Sequence, residues 1–383
     1  MRIANVVLND FTRDNRVLKV ASLLQENGAE VTVVALHRPN LPRFERHETG
    51  GFAIQRIPIV SPKHRIFGLI KWMELVIKIT WSHRRADAWH CNDAEAFAIG
   101  LVAKATRPRL KLVYDCHEFE SERNAKSAWL SRSVRWMEER WIHRAEEVIV
   151  VSPSIEAAYR DRYESRGMKR ISLVRNVPDA RALIASSHPL RCALGLDEAA
   201  FIALYQGALT FNRGVETLVA MAPMLEGTRI HLVFMGYGPL EPLVKNAAVS
   251  HAHVHLQPAV PYTEVLDYTS DADVGLVSVK PVCLSYLYCL PNKLFESIQA
   301  GIPVLVNDLP DCISLVQAYG IGEQVEGDEP TDWFAALSRV SKKKPAWKKQ
   351  AHSNIVKAQN ELNWGKESKV LTALYHRVGL SSD

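Results

Sequence analysis

Two charged residues three positions apart, Lys293 and Glu296, sit in YCLPNKLFESIQAGIPVLV (288–306), just inside a run that otherwise reads as buried. Pro291 suits a helix start, where the N–H it lacks would have no partner. Leu294, Phe295 and Ile298 recur at helical spacing and Gly301 stops the run, which predicts roughly ten helical residues. Free N–H groups at such a start attract an anion, and a lysine beside them adds a charge-assisted contact. A carboxylate one turn in can accept two sugar hydroxyls while the lysine takes a phosphate. The plainer alternative is a glutamate that favours the positive end of a helix.

A second group lies in QGALTFNRG, where Gly207 follows an apolar run and Arg213 stands before the next helix. An arginine opening a helix runs against its dipole, so a bound diphosphate would explain it; a solvated arginine is the alternative. In VFMGYGP, Gly236 and Gly238 mark a strand-to-helix turn, where glycine permits positive φ or a close backbone approach to a ligand. The turn does not complete the dinucleotide fingerprint GxGxxG. Further back, WHCND and VYDCHEFESE end two strands expected to be adjacent, which would bring His90, Asp93, Asp115, His117 and Glu118 to one rim. The local HxxxH spacing of a helical metal site is missing, so no metal is expected there. His117 is the candidate catalytic or sugar-orienting group, as a neutral imidazole that hydrogen-bonds substrate. His90 reads as a satisfied structural histidine.

These groups must be positioned by repeated strand–helix units. RIANVVL is followed by DNRVLKVASLLQENG, in which Val17, Val20, Leu23 and Leu24 recur at helical spacing and Gly28 ends the helix. AEVTVVAL, FAIQRIPI, ADAWHCND, LKLVYDCHE, EEVIVVSP and ISLVRNVPD continue the pattern. After VRNVPD it weakens, then restarts with AAFIALYQGAL, RIHLVFMGYG, HVHLQPA, DVGLVSV and IPVLVND. Near-continuous apolar strands separated by helices predict parallel sheets covered on both faces. The reading is two α/β domains with a boundary near 178–197 and ligands at the carboxyl ends of the strands.

The 383 residues suffice for two domains, and 47% apolar with 23% charged residues describes a globular protein. A net charge of +5 points to no nucleic-acid partner, while local basic patches can still meet phosphates or an anionic membrane. The first residues lack the order of a signal peptide, and no stretch is apolar for long enough to span a bilayer. Six cysteines without metal spacing read as thiols in the core or at segment ends, in a reducing cytoplasm.

The segment 62–86, PKHRIFGLIKWMELVIKITWSHRRA, puts Lys71, Glu74, Lys78 and Ser82 on one stripe. Ile66, Leu69, Ile70, Met73, Val76 and Ile77 fill the opposite face. Basic flanks with Trp72 and Trp81 match a helix lying in a membrane interface. Packing against the domain's own sheet accounts for the same apolar face. WLSRSVRWMEERW adds Arg132, Arg135 and Arg140 to this basic complement.

Taken in order, RVLKVASLLQENGAEVTVVAL, WHCND, YDCHE, VSPS, RNVPD, QGALTFNRG, GYGP, SDADVGLVSV, PNKLFESIQAGIPVLV and NWGKESKVLTALYHRV resemble the retaining GT-B glycosyltransferases of family 4. The resemblance covers nearly the whole chain, and PNKLFE…AGIPV is its most specific part. It implies an α/β GT-B fold of two Rossmann-like domains facing a central cleft. Those would be an acceptor-side domain at 1–178, a nucleotide-sugar domain at 179–360 and a C-terminal helix at 361–383 crossing back to the first domain. It implies hexosyl transfer from a UDP- or GDP-sugar, with no obligatory cofactor, to a saccharide or lipid-linked saccharide. Surface-polysaccharide assembly by a cytoplasmic enzyme, peripheral on the inner face of the cell membrane, follows as the setting. By resemblance, Glu296 binds the nucleotide ribose, Arg213 and Lys293 meet the diphosphate, and His117 approaches the transferred sugar. Gly207, Gly238, Asn292 and Leu294 line the donor site.

Two positions depart from the pattern. The family often carries a further glutamate that contacts the donor sugar, and Tyr288 stands at its place; Ala208 replaces an arginine frequent after the loop glycine. A GT-B nucleotide-sugar epimerase and a catalytically silent nucleotide-sugar-binding protein share the layout and remain alternatives.

Overall fold

The structure, a computed structural model, describes residues 1–12, 14–61, 68–124, 127–180 and 188–380, excepting the side chains at 344–346 and 348–350. Ile66 and most of the weakly patterned stretch after VRNVPD lie outside the described residues. The chain divides into two compact units, Met1–Arg175 with Ser368–Asp383, and Asn176–Glu367.

The first unit holds strands β1 (Arg2–Val6), β2 (Glu30–Leu36), β3 (Phe44–Arg46), β4 (Ala53–Ile57), β5 (Ala88–Asn92), β6 (Lys111–Asp115), β7 (Glu147–Val150) and β8 (Ile171–Leu173). Their order in the sheet is β3-β4-β2-β1-β5-β6-β7-β8. All pairs are parallel except β3 with β4. The antiparallel edge strand β3 is absent from the sequence reading: three exposed residues, FER, carry no apolar alternation to betray it. The inner strands read as apolar runs because both their faces are covered, and β5 is buried at every position. Since β1 lies between β2 and β5, the connections leave it in opposite directions, which makes the carboxyl ends of β1 and β5 the expected place for a ligand.

The second unit holds β9 (Phe201–Gln206), β10 (Ile230–Gly236), β11 (Val254–Pro258), β12 (Val274–Val277), β13 (Val304–Val306) and β14 (Gly322–Gln324), in the order β11-β10-β9-β12-β13-β14. Its recorded pairs are all parallel. Here the reversal falls between β9 and β12. One core, containing Phe201, Tyr205, Phe234 and Trp333, lies on one side of this sheet. A separate one of Leu294, Phe295, Ile298 and Val306 seats the helix Asn292–Gln299. Each unit is therefore a Rossmann-like α/β layer structure.

The helix Gly68–Ser82 leaves most of its apolar face uncovered. Leu75, Val76 and Ile79 are buried, but Leu69, Ile70, Trp72, Met73, Ile77 and Trp81 are exposed. Two half-buried members of its polar stripe are tied to the preceding segment. Glu74 accepts from the Val60 and Ser61 amides (2.8 and 2.9 Å) and from the Ser61 hydroxyl, and Lys78 donates to the Pro58 carbonyl at 2.7 Å. The ammonium of Lys78, with Ser61 and Val60, lowers the Glu74 carboxyl to about 2. Packing on the unit's own sheet thus accounts for only a minority of the apolar face. Among the described residues, no helix is long and apolar enough to cross a membrane. Cys91, Cys116 and Cys312 are buried as expected, whereas Cys192 is exposed.

Candidate functional site

In the second unit, the helix Asn292–Gln299 begins without a side-chain cap after Pro291. It has eight residues, shorter than the pattern suggested, and the following Gly301 adopts φ +80°. Lys293 is 9% exposed, and its Nζ lies 3.3 Å from the centre of the Tyr205 ring. That nitrogen has no hydrogen-bond partner among the described residues. Burial holds Lys293 well below the usual lysine range; the nearby Arg213 guanidinium lowers it further, and Glu296 opposes both. Its alkyl stem also approaches Gly207, which needs glycine at φ +116°.

Arg213 is held in a similar manner. Its guanidinium carbon lies 4.3 Å over the Tyr286 ring, and the Ser278 hydroxyl donates to its backbone carbonyl at 3.0 Å. Two cations are thus carried on two aromatic faces instead of on carboxylates, an arrangement worth about 2 kcal/mol or more when desolvated. Glu296 accepts from the Gln206 side-chain amide, and the oxygen of that amide accepts from the Thr269 hydroxyl. Asn292 accepts from the Asn176 amide at 3.0 Å. Leu294 is fully buried in the core, and its own amide donates to the Pro291 carbonyl at 3.0 Å, which leaves Asn292 and Lys293 at the helix mouth. Tyr205, Tyr286, Gln206 and Thr269 escaped the sequence reading: nothing local separates a ring that carries a cation from a core ring.

The glycine turn adopts the positive φ expected of it. A Cβ on Gly238, at φ +155°, would fall 2.3 Å from the Leu209 carbonyl oxygen. The Leu209 amide donates to the Tyr237 carbonyl at 2.9 Å, so this glycine lets the β10 turn close against the loop after β9. The close approach is to the chain's own backbone. Tyr288, at the end of the short helix Leu284–Leu287, is partly buried.

In the first unit, Asn92 of β5 pairs with Asp115 of β6 in parallel register, and this brings the two predicted strand ends together. Asp115 is fully buried. Arg16 donates to both its carboxylate oxygens (2.9 and 2.7 Å), and His90 Nε2 lies 3.1 Å from one of them. The other His90 nitrogen meets the Tyr375 hydroxyl at 2.8 Å, so His90 is a satisfied structural group. His117 donates from Nε2 to the Asn92 side-chain oxygen at 3.1 Å, and it lies 3.7 Å from both Asp93 and Asp115. Asn92 in turn donates to Asn5 (2.7 Å) and to the Val6 carbonyl. Glu118 pairs with Arg123 at 3.4 Å. Among the described residues, no group of three or more His, Cys, Asp or Glu is placed to hold a metal ion.

His117 departs from the neutral imidazole expected. Burial lowers its pKa, but the Asp93 and Asp115 carboxylates outweigh burial and bring it to about 9. It is an imidazolium at neutral pH, 21% exposed. Because the folded value lies above the unfolded value of roughly 6.5, its contribution to stability is complete below that pH and is lost as pH rises through about 9. Histidine side-chain NMR is expected to show one ring titrating near the upper end of this window. Asp93→Asn is expected to move that titration towards the ordinary imidazole value; no movement would remove Asp93 as the cause.

Comparison with known proteins places both units. Residues 14–176 match the family described as "Glycosyl transferase 4-like domain", and residues 200–343 match "Glycosyl transferases group 1". A curated relative, the putative teichuronic acid biosynthesis glycosyltransferase TuaH of Bacillus subtilis (strain 168), is 36% identical over 77 residues; these are 20% of this chain and 19% of the relative. Among solved structures, sucrose-phosphate synthase from Thermosynechococcus elongatus superposes with a TM-score of 0.81 over 99% of both chains at 20% identity. Anabaena HepE in complex with UDP and glucose gives 0.77 over 99% of both chains at 14% identity. Such identities establish the fold. The chain is a GT-B-fold protein related to the glycosyl transferase 4-like and group 1 families.

Proposed function

We propose that the chain is a retaining glycosyltransferase that moves a hexosyl group from a UDP- or GDP-sugar to a hydroxyl of a saccharide or lipid-linked saccharide. The observation that carries this reading is the Lys293 ammonium, buried and without a hydrogen-bond partner among the described residues, at the start of a helix and one turn from Glu296. An enclosed cation left unsatisfied is costly, and a diphosphate supplies the missing acceptor oxygens. The matched glycosyltransferase families and the UDP and glucose in the HepE structure support the choice of ligand.

In the proposed reaction the bond between the sugar's anomeric carbon and the diphosphate oxygen breaks, and its electron pair leaves with the diphosphate. The acceptor oxygen bonds to the same face of that carbon, and the acceptor proton passes to the diphosphate. Arg213, Lys293 and the amides of the helix mouth stabilise the charge that develops on the leaving group. Glu296, oriented by Gln206, accepts the ribose hydroxyls. His117 serves the acceptor side as a charged hydrogen-bond donor to a sugar oxygen.

The test is a mass-spectrometric screen of UDP- and GDP-sugars against saccharide and lipid-linked acceptors, with nucleotide binding followed by calorimetry. Glu296→Gln is expected to weaken UDP or GDP binding by roughly 10–100-fold, the worth of hydrogen bonds to a charged acceptor. It should also abolish the preference over the 2′,3′-dideoxy nucleotide. Equal affinity for the two nucleotides in the unsubstituted chain would remove the ribose assignment. Epimer formed without acceptor, or tight binding without turnover across the whole panel, would replace transfer with one of the two alternatives.

A further inference from the structure

The apolar face of the helix Gly68–Ser82 has no use in the reaction above. Leu69, Ile70, Trp72, Met73, Ile77 and Trp81 are between 38% and 71% exposed on one short helix. Monomeric proteins seldom leave so contiguous an apolar surface without a partner. The buried Leu75, Val76 and Ile79 and the hydrogen bonds of the half-buried Glu74 and Lys78 to residues 58–61 keep this face outward, since turning it inward would break both.

A cationic cavity adjoins the face. It encloses about 550 Å³ and is lined by Arg84, Arg107, Arg109 and Lys111, with Asp87 as the one carboxylate. Asp87 is already engaged by Arg2, through its amide at 2.8 Å and its guanidinium at 3.8 Å. Arg84 links cavity and face, because its guanidinium lies 4.8 Å over the exposed Trp81 ring. Two nitrogens of Arg107 are enclosed without a hydrogen-bond acceptor among the described residues. The helix Asp93–Thr106 packs between this helix and Ala128–Trp141, which exposes Trp129 and Trp136.

We infer that this face docks the chain onto a membrane surface rich in anionic phospholipid, with the apolar residues in the acyl boundary and a lipid phosphate in the cavity beside Trp81. Charge complementarity selects this occupant: apolar side chains and tryptophans bordered by guanidinium groups fit the layered chemistry of a bilayer interface. A soluble apolar partner would leave the cavity cations unneutralised. At 15 residues with a polar stripe, the helix suits lying in the interface plane.

The inference is independent of the transferase reading and is tested by binding alone. The full chain is mixed with phosphatidylglycerol/phosphatidylcholine vesicles, or with phosphatidylcholine vesicles, and floated at low and high salt. Expected is flotation with the anionic vesicles at low salt, weakened by salt and at least about tenfold poorer with the neutral ones. Arg84→Glu with Arg109→Glu should reduce binding about tenfold or more, and Leu69→Ser with Met73→Ser and Ile77→Ser should abolish it. These positions are exposed, so melting temperature and nucleotide affinity should stay at the parent values. Absence of flotation at low salt, or full binding by both variants, would overturn the inference. So would a dimer in sedimentation equilibrium that the triple-serine variant dissolves, since the face would then cover a second copy.

Discussion

Replacing Lys293 with methionine is expected to lower kcat/KM for glycosyl transfer by about 10²–10³-fold while the chain stays folded. Methionine keeps an unbranched stem over the Tyr205 ring and removes only the charge. The transfer defect follows because a preorganised cation in an enclosed site meets charge that develops on the leaving diphosphate, where screening by water is weak. Stability should change little, because the lost cation–π contact is offset by relief of an enclosed, unpartnered ammonium. Steady-state transfer at low donor concentration, together with thermal melts, checks both halves. Unchanged transfer in both Lys293→Met and Arg213→Ala would remove these two cations from the proposed mechanism.

The same lysine gives a pH signature. Its folded pKa is depressed by burial and by Arg213, so the unfolded chain binds the extra proton between that value and roughly 10.4. Stability therefore rises with pH across this interval as the penalty for an enclosed charge is relieved, and Lys293→Met should flatten the rise. A diphosphate favours the charged form, so nucleotide binding above the depressed value should take up a proton. Calorimetry in two buffers of different ionisation enthalpy reads that uptake directly.

The second large effect is structural. Asp115→Asn is expected to destabilise the first unit by about 3–5 kcal/mol, the usual cost of breaking a buried ion pair from one side. Asp115 is fully buried and accepts twice from Arg16 and once from His90, so the substitution leaves the guanidinium enclosed without its counter-charge. Burial alone would raise this carboxyl, but Arg16 and the two histidines hold it well below the usual range. Its stabilisation is consequently present above roughly pH 4 and lost as pH falls through the folded value. Urea unfolding at pH 7 measures the loss, and the acid limb of the parent chain should be shallower in the variant. A change below about 1 kcal/mol would mean that Asp115 is not the counter-charge of Arg16. The His117 titration should also fall in this variant, which ties the ion pair to the charge state of His117.

The fold was largely legible because period and length reported it. The inner strands are apolar at nearly every position, as parallel strands covered on both faces must be. The exceptions were β3 and β14, three residues each, too short to display a period. At the candidate site, the helix start after Pro291 and the pairing of Lys293 with Glu296 were visible because they are local. Gln206 and Thr269 were not, since Gln206 on β9 reaches Glu296 from 90 residues away, and Thr269, on the helix Val265–Ser270, meets Gln206 from 63 residues away. Gly238 was legible as a position that needs glycine, but the neighbour that fills its Cβ space, the Leu209 carbonyl, comes from another strand end.

By itself the sequence determined most element types and the two α/β units, each of which a family match covers in large part, because these depend on residues within one helix or strand. The tertiary structure alone decided the charge states and the exposed faces. Lys293 is depressed and His117 raised by groups that separate strands and loops bring within a few ångströms. The helix Gly68–Ser82 shows the same division. Its spacing defines two faces, but only tertiary contacts decide which is covered: the packing of Leu75, Val76 and Ile79, the amides of residues 60 and 61 donating to Glu74, and Lys78 donating to the Pro58 carbonyl. Periodicity says which side chains travel together; what they meet depends on contacts that no short stretch encodes.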